Sequence, residues 1–190
     1  MKKYNLIKLL VTIFVITFFY SKAYSANKDL LKIDWSFAGI TGKFERDSLQ
    51  RGYQVYKEVC ASCHSMQYLS YRNLGQEGGP EFTLEEVKAI AASFEVEDGP
   101  NSDGDMFTRP ARPSDHFVNP YANVNAAIAS NGGAYPPDMS VLVKARPGGA
   151  NYIYSVLMGY EEKPVDFDLD VGVYYNKYMD GNKIKMPSPL

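Results

Sequence analysis

Cys60-Ala61-Ser62-Cys63-His64 decides how this chain is read. The stretch uses both cysteines of the protein and places a histidine directly after the second. C-x-x-C-H is the attachment signature of c-type haem. The chemistry explains the spacing. Each thiol adds across one vinyl group of the porphyrin, and two intervening residues let both sulfurs reach the two vinyl positions of one ring. The next imidazole then lies under the ring, where a nitrogen can bind iron. Other readings fit less well. A thioredoxin-like dithiol belongs in a βαβ pattern, which is not visible here. A closed zinc site needs four ligands, and His64 and His116 are the only histidines. A structural disulfide has no use for His64. The motif implies one covalent haem c and electron transfer, with no catalytic site in the chain itself.

The amino terminus says where such a motif would be matured. Lys2, Lys3 and Lys8 precede an apolar run from Leu9 to Tyr20, and Ala23-Tyr24-Ser25 offers small residues where signal peptidase reads. Residues 1–25 read as a secretory signal peptide, with Ala26 as the new amino terminus and 26–190 as one domain. The apolar run is short for a stable membrane span. Lysine-rich and free of arginine, the leader looks bacterial rather than mitochondrial. The expectation is therefore export to the periplasm, where bacteria attach c-type haem. Cleavage removes Lys2, Lys3, Lys8 and Lys22, so the 20 basic residues fall to 16 against 22 acidic ones. That balance disfavours nucleic acid and suits a basic protein partner met by electrostatic steering.

A mainly α domain with long loops and little β is expected. Leu49, Gly52, Tyr53, Tyr56, Val59 and Cys60 recur at helical spacing after a cap at Asp47 or Ser48. Gly52, Tyr56 and Cys60 share one face, a pattern that in class I c-type cytochromes crosses a terminal helix. Thr83 and Glu86 form a capping box before a helix over Val87 to Phe94. Residues 95–120, rich in acids and prolines, read as a long irregular excursion. Asn123 to Ser130 is a helix stopped at Asn131-Gly132-Gly133. Pro137 to Ser140 starts another that runs to Ala145, and Ala150 to Gly159 is a further helix. Val165 to Tyr174 carries partial alternation, as a short strand or hairpin would.

Low-spin haem iron takes a sixth ligand, typically Met or His. Met66 is too close to His64 to cross the ring, and Met139 and Met158 read as core. Met186, in the proline-rich stretch Lys185-Met186-Pro187-Ser188-Pro189, is the leading choice. Met179 is second and His116 is the rival.

Several blocks resemble the cytochrome c1 family, the haem subunit of quinol:cytochrome c oxidoreductase (bc1) complexes. They are VCASCHSMQYLSYRNL (59–74), RPARPSDHFVNPY (109–121), NGGAYPPDMSVLVKAR (131–146), NYIYSVLMGY (151–160) and MPSPL (186–190), in family order from about Trp35 onward. The resemblance implies a class I c-type cytochrome-like haem domain. It implies that Cys60 and Cys63 carry the thioethers, His64 is the proximal ligand and Met186 the distal one. It further implies a relay in a respiratory complex, from the Rieske iron–sulfur protein to cytochrome c beside cytochrome b, on the periplasmic side of the inner membrane. Two departures stand out. Ile128 stands where many members have an arginine that meets a haem propionate, which leaves Arg112 and Arg146 as substitutes. Family members also continue past the methionine loop into a helix and an anchor. The expectation is that the sequence is incomplete at Leu190, its anchor missing, and that the gene goes on to an amphipathic helix, about 20 apolar residues and a short basic tail.

The competing readings are a free periplasmic c-type cytochrome and a haem enzyme such as a peroxidase. The second needs an open iron position and a distal histidine pattern, and none is visible. Mass spectrometry of the exported protein is expected to show a single haem that survives denaturation, bound through Cys60 and Cys63. Free thiols in the fully matured protein would count against it.

Overall fold

A computed structural model describes residues 28–189. The leader 1–25 lies outside the described residues. Among them the structure is mainly helical: α1 (Arg46–Glu58), α2 (Leu84–Ala92), α3 (Val124–Ser130), α4 (Leu142–Ala145) and α5 (Gly149–Met158). Two small antiparallel sheets complete it, β1 (Glu95–Asp98) with β2 (Phe107–Pro110) and β3 (Tyr174–Tyr175) with β4 (Lys183–Ile184). No helix among the described residues is long and apolar enough to cross a membrane.

One body is an aromatic core around α1. Helical spacing puts Tyr53 and Tyr56 on the same side of α1, toward Phe117. Tyr71, only 1% exposed, stacks on Phe117 with ring centroids 4.8 Å apart and on Phe94 at 5.4 Å. Such pairs add about 1 kcal/mol each beyond the area they bury. Burial pushes the Tyr53 and Tyr56 hydroxyls up to about 12. Leu74, Val87 and Ala91 close the floor beneath α2. The α2 cap follows the sequence reading, with Thr83 Oγ1 accepting from the Glu86 N–H and the Glu86 carboxylate accepting from the Thr83 N–H.

The region 95–120 departs from the irregular excursion expected. Residues 95–98 and 107–110 within it pair as β1 and β2, Glu95 opposite Pro110 and Asp98 opposite Phe107. Arg109 supplies the reason. Its guanidinium grips Asp115 through two bonds of 2.6 and 3.1 Å while Nε bonds Asp98 across the hairpin. Beside Arg109 the Asp115 carboxyl falls to about 2. The downstream segment docks through backbone bonds, Tyr71 N–H to Asp115 O and Phe117 N–H to Leu69 O. Other boundaries also differ. Helix α1 starts on Glu45 rather than Asp47 or Ser48, so Asp47 lies in the first turn, where its charge suits the helix dipole. It ends at Glu58, before a separate 3₁₀ turn over Cys60–Ser62. Helix α2 stops at Ala92, where the chain turns into β1. A Cβ added at Gly52 would meet nothing within 4 Å among the described residues.

The second body is α5 wrapped by both ends of the described chain. Asn176, fully buried, donates Nδ2–H to Val156 O at 2.7 Å and accepts from the Tyr178 N–H at 3.0 Å. Gly159 makes room for it, because a Cβ there would lie 2.6 Å from Asn176 Oδ1. The expected strand at 165–174 forms later, at Tyr174–Tyr175, where Asn176 and the following turn let β4 return. Met158, read as core, is 49% exposed because α5 turns its other side to Asn176. Asn176→Ala orphans one carbonyl and one N–H in a site without water access. A loss of roughly 2–4 kcal/mol is expected, read as a lower urea midpoint with an unchanged slope.

Candidate functional site

The C-x-x-C-H stretch leaves α1 as a tight turn. Cys63 N–H and His64 N–H both donate to Cys60 O, at 3.1 and 2.8 Å. This doubling back gathers Cys60, Cys63 and His64 into one short turn. Cys60 and Cys63 form no disulfide and are half-buried, and burial raises the Cys60 thiol. Tyr56, one turn earlier on α1, donates its hydroxyl to His64 O at 3.3 Å.

His64 Nδ1 lies 2.8 Å from Pro137 O. A carbonyl only accepts, so Nδ1 carries the hydrogen, and the lone pair of the neutral ring is on Nε2. That is the tautomer a metal-ligating imidazole needs, held by a bond of the kind that orients histidine ligands. The two thiols and this imidazole fit a covalently attached haem.

Residues 137–140 form the clamp that supplies Pro137 O. They lie against 64–68 rather than starting the helix expected there. Asp138 accepts from the Ser65 hydroxyl at 2.7 Å and the Gln67 N–H at 2.9 Å through Oδ2, and from the Ser140 N–H at 2.8 Å through Oδ1. Met139 N–H bonds Ser65 O, and Ser140 Oγ accepts from the Tyr68 N–H. These links draw the chain out of helical geometry, so α4 begins only at Leu142. Burial by itself would push the Asp138 carboxyl up, but the bonds from Gln67, Ser140 and Ser65 outweigh it and hold the group below its ordinary value. The sequence reading missed this role. Asp-x-Ser after two prolines is an Asx-turn signature that carried the signal.

The methionines separate. Met179 Sδ accepts from the Tyr152 hydroxyl at 3.4 Å. Met66 and Met139 pack against the aromatic core. Met186 is half-buried, its carbonyl accepting from the Tyr160 hydroxyl at 2.9 Å, and neighbouring Lys185 donates Nζ to Gly132 O at 2.6 Å. The Met186 loop is thereby tied to the end of α5 and to the turn after α3. Neither Tyr160 nor Lys185 was singled out from sequence. His116 is exposed and pairs as an isolated bridge with Ser70. Arg112 and Arg146 are exposed, and neither side chain donates a hydrogen bond among the described residues.

A mainly helical domain organised around a C-x-x-C-H turn, with an oriented histidine, has the build of a c-type cytochrome domain. The chain belongs to the Cytochrome C1 family, whose model matches residues 35–190. It is 45% identical over 186 residues to the cytochrome c1 of Rhodospirillum rubrum, covering 90% of this chain and 67% of that protein. It is 51% identical over 156 residues to a cytochrome c1 named as a mitochondrial haem protein from Solanum tuberosum, covering 82% and 59%. It is 49% identical over 175 residues to the cytochrome b/c1 of Bradyrhizobium diazoefficiens, covering 82% and 26%. The chain thus spans only part of these relatives.

Asp138→Asn tests the clamp. A carboxyl held below its ordinary value near 3.8 stabilises the folded state above that pH, and the contribution is lost as pH falls through the folded-state value. The variant is expected to be less stable by roughly 1–3 kcal/mol at pH 7. In urea titrations the gap from the parent should close below pH 3.8 and not above it.

Proposed function

We propose that this chain is the electron-transfer part of a cytochrome c1, carrying one covalent haem c and relaying electrons from a Rieske iron–sulfur protein to cytochrome c within a bc1 complex. The observation that carries the reading is His64 Nδ1 fixed on Pro137 O inside the turn that also holds both thiols. Family membership and the relative named cytochrome b/c1 support the complex and a cytochrome b partner.

The haem, when bound, supplies a one-electron iron couple. Cys60 and Cys63 hold it by thioethers. His64 presents Nε2 to the iron, and Pro137 O keeps the ring from rotating and makes its nitrogen a better donor. Met186 would supply the second protein ligand, and Tyr160 and Lys185 fasten its loop. Met179 is the weaker choice because its sulfur already serves Tyr152. A fixed ligand pair moves little when iron changes charge, which favours fast transfer. The chain has no substrate chemistry of its own in this reading, and quinol oxidation belongs to cytochrome b. The leader 1–25 delivers the domain 26–190 to the periplasmic face of a bacterial inner membrane.

Exposed acids serve the acceptor side. Glu95, Glu97, Asp103 and Asp105 cluster on and beside the β1–β2 hairpin and suit a basic cytochrome c. A second candidate patch is Glu161, Glu162 and Asp166, but Asp98 is committed to Arg109 and Glu161 to Lys177. Met186→Leu keeps the bulk and removes the thioether. It is expected to abolish the sulfur-to-iron charge-transfer band, lower the potential and admit carbon monoxide to the reduced iron. An unchanged spectrum would move the ligand to Met179 or His116. His64→Ala is expected to do more damage, costing stable haem incorporation.

A further inference from the structure

Residues 28–35 form a strap along α5. Leu31 N–H donates to Ser155 Oγ at 2.9 Å, and Ile33 N–H and Trp35 Nε1–H both donate to Asn151 Oδ1, at 3.2 and 2.8 Å. Gly148 leaves space for the strap, since a Cβ there would lie 2.4 Å from Leu30 Cδ1. The end of the strap is therefore fixed to a helix independently of what Lys28 touches.

Lys28 then reaches into the turn between β3 and β4. Its ammonium donates to Lys177 O at 2.9 Å, to Met179 O, and to Asn182 Oδ1 at 2.5 Å. Three oxygen dipoles from one turn use all three ammonium hydrogens. The turn needs such a fastener. Gly181 and Asn182 both have left-handed backbone, at φ 66° and 58°, and Asn182 is not a glycine. The Asn182 amide is shared, its Oδ1 taking Lys28 and its Nδ2–H going to the Tyr175 hydroxyl at 2.8 Å. Directly after Asn182 come β4 and Met186. The direction in which the chain leaves this turn sets where the Met186 loop goes.

We propose that Lys28 is a positioning residue for Met186, an ammonium clasp that locks the Met179–Asn182 turn and so holds the sulfur-bearing loop closed. The inference rests on Met186 being the distal ligand. Without the clasp the turn opens more often, and the loop leaves the iron with it.

Haem-loaded exported protein provides the test, with Lys28→Met retaining the apolar stem and removing only the charge. Amide hydrogen exchange across residues 176–184 should quicken about tenfold, and carbon monoxide should bind reduced iron about tenfold faster, as expected from losing charge-assisted bonds at one end of the turn. Lys28→Arg, which keeps the charge, should stay closer to the parent. Thr83→Ala, a cap change on α2, lowers stability elsewhere and should move neither readout. Parent-like exchange in Lys28→Met overturns the proposal. So does faster exchange with parent-like carbon monoxide binding, or an equal effect from Thr83→Ala. Met186→Leu, run in parallel, separates the two readings. A charge-transfer band that survives it overturns the ligand assignment and this proposal together. A band lost there, with both readouts untouched in Lys28→Met, overturns the clasp alone.

Discussion

The bond from His64 Nδ1 to Pro137 O joins residues 73 positions apart and fixes the chemistry of the site. It selects the imidazole tautomer and the ring orientation at once. A carbonyl holds this role only if it cannot drift, and the rest of the 137–140 segment keeps it still. Asp138 is central there, because one carboxylate satisfies two N–H groups and a hydroxyl from both strands of the contact. The aromatic core stabilises the other side. Tyr56 is packed against Phe117 and also bonds His64 O, so the motif is held from both directions.

The residues proposed to hold haem belong to different packing units. Cys60, Cys63 and His64 leave α1 and the aromatic core. Met186 leaves the hairpin built on Asn176, Gly159 and α5. Few apolar residues are fully buried in the second unit, and Ser155 and Asn176 have no exposed surface at all. Its order comes from directional bonds more than from area buried, so each polar group there has a large individual effect.

Charge is arranged with equal economy. Arg109 pairs with both Asp98 and Asp115 while closing the hairpin, offsetting one of their two negative charges. That leaves the outward acids of the same segment free to set the surface field. A segment whose composition suggested a loose loop is in fact pinned at its base, because one guanidinium can satisfy carboxylates from two directions.

Helices α2, α3 and α5 were legible in the sequence, since caps, apolar spacing and terminal glycines act locally. The C-x-x-C-H motif was legible because its spacing is the chemistry. The hairpin over 95–110 was not, because its pairing depends on Arg109 meeting Asp115 beyond the strand. The helix expected from Pro137 to Ala145 lost its first half to long-range bonds with 64–68, and only Leu142–Ala145 is helical. Sequence alone therefore determined the haem-binding class and named the candidate residues for it. Only the tertiary structure decided which nitrogen His64 presents, which methionine sulfur is already engaged, and what fastens the loop that carries Met186. Those outcomes depend on partners brought together from distant parts of the chain, which no local pattern specifies.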